Sequence, residues 1–228
     1  MKSYYIIVFN IFFIFTLICN KNIQIMSTLT EKAKTLLGLL ALLLMLGNDL
    51  NAQNTCPNAD FSSGNFNNWQ GFTGNYNNPA QTPGVVNGRH TIMNAPAIDP
   101  NTCGGLNVLP PGATFSARLG NQNWGAEGEQ LRYTLTVTNQ NALFIYKYAV
   151  VLEDPGHSPS AQPEFKMRIL NTAGQQIGGN CGQYSVYAGQ PGQNFQVCGG
   201  VKWLPWTIVG VNLTPYIGQN VTIEFTTK

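Results

Sequence analysis

From residue 131 to 138 the chain reads L-R-Y-T-L-T-V-T, apolar and polar residues alternating without a break. No other feature limits the possible folds as much. A period of two is that of a β-strand with one face buried and the other wet, and it cannot be laid onto a helix of period 3.6. Asn139, Gln140 and Asn141 then turn the chain, and 143–152 follows as L-F-I-Y-K-Y-A-V-V-L, polar only at Lys147. Such a run suits a strand covered on both faces. The two strands are expected to form a hairpin at the centre of the protein. A loop, L-E-D-P-G-H-S-P-S-A-Q-P-E-F, continues to residue 165.

Other segments repeat the pattern. Ala113, Phe115, Ala117 and Leu119 alternate with Thr114, Ser116 and Arg118. Phe165, Met167 and Ile169 point away from Lys166 and Arg168; Val221, Ile223 and Phe225 point away from Thr222, Glu224 and Thr226. Further strands are expected at 90–93, 184–187 and 207–213, and a polar loop at 79–83. After residue 52 no apolar stripe of helical period occurs, and Gly, Asn and Pro punctuate the chain at short intervals. Nine to eleven short strands without a helix predict an all-β protein, an antiparallel two-sheet sandwich of jelly-roll type.

Two apolar segments precede this part. Lys32 and Lys34 lead into an apolar core at 36–46 and then into Ala52, the order of a cleavable signal helix. That core is shorter than the roughly 20 apolar residues a bilayer span needs. Residues 26–52 are therefore read as a signal peptide, with Gln53 as the mature N-terminus. Residues 1–25 are read as an upstream extension, with a membrane anchor at 4–19 as the competing interpretation. Residues 53–228 form one domain, expected to be truncated at its C-terminal end.

From residue 53 onward, eight Lys and Arg face eight Asp and Glu. With no basic surplus, nucleic acid and anionic membrane are set aside as partners. The four cysteines of this part, Cys56, Cys103, Cys181 and Cys198, suit an oxidising compartment and allow three pairings. The short closure from Cys181 to Cys198 is the expected one, because the strand at 184–187 and the G-Q-P-G turn at 189–192 would bring its ends together.

Glu153, Asp154 and His157 form the densest ionisable set in the domain. They suit a ligand contact, or equally a turn in which Asp154 caps backbone N–H groups and His157 faces solvent. Trp69, Tyr76 and Trp124 offer rings on which the C–H faces of sugars stack. Trp206, at a strand start, is expected in the core, and Trp203 is undecided. A structural calcium, held by hard oxygen ligands, has Asp60, Glu127 and Glu129 as candidates. No nucleophile motif accompanies any of these groups, so no catalytic residue is assigned.

Several phrases together carry a resemblance: N-A-D-F-S-S-G-N-F-N-N-W at 58–69, S-A-R-L-G-N at 116–121, L-R-Y-T-L-T-V at 131–137, Y-A-V-V-L-E-D-P-G-H at 148–157, Q-P-E-F at 162–165, W-T-I-V-G-V-N-L at 206–213 and Y-I-G-Q at 216–219. They resemble the N-terminal domain of large secreted surface proteins of Bacteroidota. Such proteins continue into PKD-type or immunoglobulin-like repeats and end in a gliding-motility-associated, type IX secretion sorting domain. More loosely, the phrases are similar to galactose-binding-like and MAM-type jelly rolls. The resemblance implies a non-catalytic recognition domain at the cell surface, for adhesion or glycan binding. Its partners would be a glycan, an extracellular protein, or downstream repeats of the same polypeptide. The alternatives are an accessory or catalytic domain of a secreted glycan hydrolase, which needs two carboxylates about a cleft, and a structural cap for downstream repeats.

Overall fold

The computed structural model describes residues 6–8, 56–123 and 125–228; the signal segment with its cleavage point, and Trp124, lie outside the described residues. Twelve strands are present among the described residues: β1 (Ile6–Val8), β2 (Trp69–Asn75), β3 (Asn78–Pro83), β4 (His90–Met93), β5 (Ser116–Leu119), β6 (Glu127–Thr136), β7 (Leu143–Glu153), β8 (Glu164–Leu170), β9 (Gln183–Tyr187), β10 (Gln196–Cys198), β11 (Val201–Asn212) and β12 (Asn220–Thr227). They form two six-stranded sheets. The first runs β10-β11-β7-β1-β5-β4 and the second β3-β2-β6-β12-β8-β9. All the strand pairs are antiparallel. The fold is thus the all-β sandwich that the alternating segments imply.

The expected hairpin at 131–152 is not one. β6 belongs to the second sheet and β7 to the first, so the turn between them crosses from sheet to sheet. Buried Asn141 holds the crossing: its Nδ2 donates to the Thr136 carbonyl at 3.0 Å, and its Oδ1 accepts from the Thr138 N–H at 2.6 Å. The reason is burial. Leu131, Tyr133 and Leu135 of β6 share one core with Phe144, Tyr146 and Tyr148 of β7. Facing each other across the sandwich covers these side chains better than lying side by side in one sheet. β7 is nonetheless covered on both faces, as its sequence requires. Ala149 and Val151 pack outward against Leu106, Val108, Leu109, Val201 and Trp203.

β1, β2, β3 and β10 escape the sequence reading, and β11 begins earlier than the expected 207–213. β3, taken as a polar loop, carries Pro79 and Pro83 and lies at the edge of its sheet, where a missing N–H donor is tolerated. β11 starts at Val201, and its ladder to β7 shifts register between Leu204 and Thr207, which accommodates Pro205. β1 pairs with Leu119 to Ala117 of β5 on one side and with Val150 to Tyr148 of β7 on the other. The backbone of residues 6–8 therefore lies inside the first sheet.

The disulfide corrects a further expectation. Cys103 is joined to Cys198, 95 residues apart, with Cα atoms 5.5 Å from each other. Cys181 sits in the short 3-10 turn before β9, at the edge of the second sheet, whereas Cys198 ends β10 at the edge of the first. A short sequence separation does not bring residues of different sheets together. Cys103 instead belongs to the excursion at 94–112 that packs onto the outside of the first sheet, where Gly105 lies against the Trp203 ring. Cys56 is buried, Cys181 is exposed, and both stand outside this bridge. Trp203, undecided from the sequence, is buried in the outer cluster, whereas Trp206, expected in the core, is only partly buried and donates from Nε1 to the Asn107 carbonyl at 2.8 Å.

Candidate functional site

The wet face of the second sheet collects the strongest polar arrangement among the described residues. Antiparallel register places Gln70, Arg132, Glu224, Arg168 and Gln183 in one row across β2, β6, β12, β8 and β9. Each is the direct Cα partner of the next, the spacing at which cross-strand side chains meet. Glu224 sits at the centre, and its side chain has no exposed surface. Its Oε2 accepts from Arg132 Nε at 2.9 Å, and its Oε1 accepts from both Nε (2.7 Å) and Nη2 of Arg168. Two guanidinium groups lying over one carboxylate offset the cost of burying it at zero exposure. Arg132 is held from a second side by the Phe72 ring, 4.7 Å below its Cζ.

Hydroxyl and amide rows flank this one. Thr134 and Thr222 share a hydrogen bond at 2.8 Å, and Thr136 Oγ1 donates to Asn220 Oδ1 at 2.6 Å. A groove of about 360 Å³ runs over them, lined by Gln70, Arg132, Thr134, Arg168, Asn171 and Asn220, among others. On the opposite side Gln130 Nε2 donates to Thr226 Oγ1 at 3.0 Å, and Lys166 and Lys228 reach Glu164 at 3.2 and 3.0 Å. Here lies a second hollow of about 210 Å³, whose lining includes Tyr76, Gln130, Glu164, Lys166, Arg168 and Lys228. Arg168 lines both, so the two form one continuous polar surface. Its donors are fixed in place by the sheet and by the buried carboxylate, an arrangement chemically suited to a polar ligand.

Of the described residues singled out from sequence, Tyr76 alone reaches this surface. It is 39% exposed at the tip of the β2–β3 hairpin. Trp69 is buried, stacked on Phe61 at 4.7 Å with Nε1 bonded to the Asn58 carbonyl, so it offers no face to a sugar. Trp124 lies outside the described residues. Glu153, Asp154 and His157 lie where the chain crosses from β7 toward β8, and line neither groove. Asp154 Oδ1 accepts from Gln162 Nε2 at 2.8 Å and from the Gly156 N–H at 3.3 Å, while His157 is exposed.

The three calcium candidates are not brought together. Asp60 Oδ1 accepts from the Ser62 N–H at 3.0 Å in its own turn. Glu127 and Glu129 flank Arg89 at one end of the sandwich. Glu129 is buried, accepting from Arg89 Nε and from Thr227 Oγ1, each at 2.7 Å. Burial raises its pKa above the ordinary carboxylate value, against the pull of Thr227 and Arg89. Next to it lies the buried His90. Burial lowers its pKa, its Nδ1 accepts from the Val86 N–H at 3.2 Å, and Nε2 therefore carries the proton toward the Gln130 carbonyl at 3.2 Å. No cluster of three or more His, Cys, Asp or Glu suited to a metal occurs among the described residues.

Sequence reasoning missed Arg132, Arg168, Glu224, Lys166 and Lys228 as a group, although it placed Arg132, Lys166, Arg168 and Glu224 on the polar side of their strands. The available signal was opposite charge at the outward positions of three separate strands; which strands adjoin was not in it. Comparison with family models, with curated proteins and with solved structures finds no match to this chain.

Proposed function

We propose that this chain is a non-catalytic extracellular recognition domain and that the wet face of its second sheet is the glycan-binding surface. The observation that carries the reading is the Gln70–Arg132–Glu224–Arg168–Gln183 row beneath a groove of about 360 Å³. Sugar recognition calls for fixed hydrogen-bonding groups rather than an apolar cavity, and here amides, hydroxyls and guanidinium groups stand at strand spacing on a rigid support. Tyr76 at the rim supplies an exposed ring for stacking. If the segment at 26–52 directs export, this face meets surface glycans and adhesion partners outside the cell. A hydrolase requires two carboxylates across a cleft with room for water. The acids nearest these grooves, Glu164 and Glu224, are each engaged by two cations, which favours binding over turnover.

The test is a glycan array probed with the full chain, followed by calorimetry on the hits with wild type and with Thr222→Val. Binding that weakens in the variant supports the reading. An array with no hit at all, or hits unaffected by changes across this face, overturns it.

A further inference from the structure

We infer that the ligand of this face carries oxyanions, carboxylate or sulfate groups on a saccharide, and that Arg132 and Arg168 are the residues that read them. This deepens the recognition reading and rests on it. The argument is one of charge placement. From residue 53 onward the chain is balanced, eight cations against eight acids, yet four of those cations and only two of those acids lie on this one face. The cations are Arg132, Lys166, Arg168 and Lys228, and the acids are Glu164 and Glu224.

Depth separates the two signs further. The side chains of Arg132, Arg168, Lys166 and Lys228 are 31%, 37%, 39% and 25% exposed, against 0% for Glu224 and 15% for Glu164. The acids sit low and clamp the cations, and the cations present their outer donors to solvent. Arg132 uses Nε on Glu224, and Arg168 uses Nε and Nη2. Each guanidinium has five N–H donors in a planar fork, so part of each fork remains for a second oxyanion. Because Glu224 already fixes both forks, and Phe72 also supports that of Arg132, little side-chain freedom is lost when a ligand arrives. A neutral sugar would cover these forks without offering them an anionic acceptor, whereas a carboxylate or sulfate takes them bidentately. The Thr134, Thr222 and Asn220 groups beside them then meet the sugar hydroxyls. The excess charge is +2 over the face, so binding falls as salt rises.

The experiment measures binding of the full chain to dextran, carboxymethyl-dextran, dextran sulfate and poly-glutamate, and runs the same glycan array with neutral and acidic members. Dextran shares a backbone with its two derivatives, so the three arms separate neutral sugar, carboxylate and sulfate. Binding to carboxymethyl-dextran or dextran sulfate but not to dextran is expected. Arg168→Gln and Arg132→Gln, confirmed as folded by thermal melting, should weaken it about tenfold or more, as loss of a charge-assisted bond predicts. Lys166→Gln should weaken it roughly threefold, and Lys147→Gln and Lys202→Gln, on the other sheet, should leave it within about twofold. Neutral glycans binding as well as acidic ones would overturn this inference while leaving the recognition reading intact. Equal loss from Lys147→Gln, or equal binding of poly-glutamate, would show attraction to charge alone and would also overturn it. No binding to any glycan sinks both.

Discussion

Glu224→Gln tests the electrostatic centre of the molecule most directly. The carboxylate is wholly buried, yet each of its oxygens takes a guanidinium. The amide keeps the shape and one acceptor, but turns an NH2 group toward the other arginine, so donor faces donor. One charge-assisted bond is lost, worth about 1.5–3 kcal/mol, and two like charges are left without their counter-ion. Because the arginines are about a third exposed, solvent screens much of that repulsion, so the total is about 3 kcal/mol. For a chain of this size that is a fall in Tm of about 6–12 °C. Urea unfolding followed by tryptophan fluorescence measures it, with an unchanged m-value as the sign that the same structure is being unfolded. Arg132→Gln and Arg168→Gln, each leaving the carboxylate one guanidinium, should cost less than about 2 kcal/mol apiece. A cost below about 1 kcal/mol for Glu224→Gln, or single arginine losses as large as the glutamate loss, would refute the view of one carboxylate ordering two arginines.

The other predictions concern the frame around this face. Cys198→Ser opens a loop closed across 95 residues, and the loop-entropy relation makes that a loss of about 4–5 kcal/mol in chemical denaturation, whereas Cys181→Ser should be nearly neutral. Burial holds the folded-state pKa of His90 below its unfolded value of 6.5, so its contribution is fully present above pH 6.5 and is lost as pH falls through the folded value. Melting temperatures should therefore drop between pH 7 and 5 in wild type and drop less in His90→Gln. Gly105→Ala would drive a methyl carbon into the Trp203 ring and should destabilise by about 1–3 kcal/mol, read as a shift in the urea midpoint.

What could be read from the sequence was local. The period of two in 131–137, 165–169 and 221–227 determined that these are strands and which side of each is wet, because alternation of side chains is a property of one extended backbone. The doubly apolar run at 143–152 likewise announced a strand with two dry faces. The edge strand at 78–83 was lost because its prolines read as loop, and proline's lack of a donor matters only where a neighbour needs one. The false hairpin and the false disulfide share a cause: closeness along the chain was taken for closeness in space. In this sandwich consecutive segments change sheets, so Cys198 meets Cys103 rather than Cys181.

The same distinction decides the polar face of the second sheet. The sequence by itself determined that Arg132, Arg168 and Glu224 point outward. Only the tertiary structure decided that β12 lies between β6 and β8, which brings residues 56 and 92 positions from Glu224 into hydrogen-bonding range of one carboxylate. Strand order is set by how whole apolar faces pack across the core, a sum over distant residues that no local period encodes.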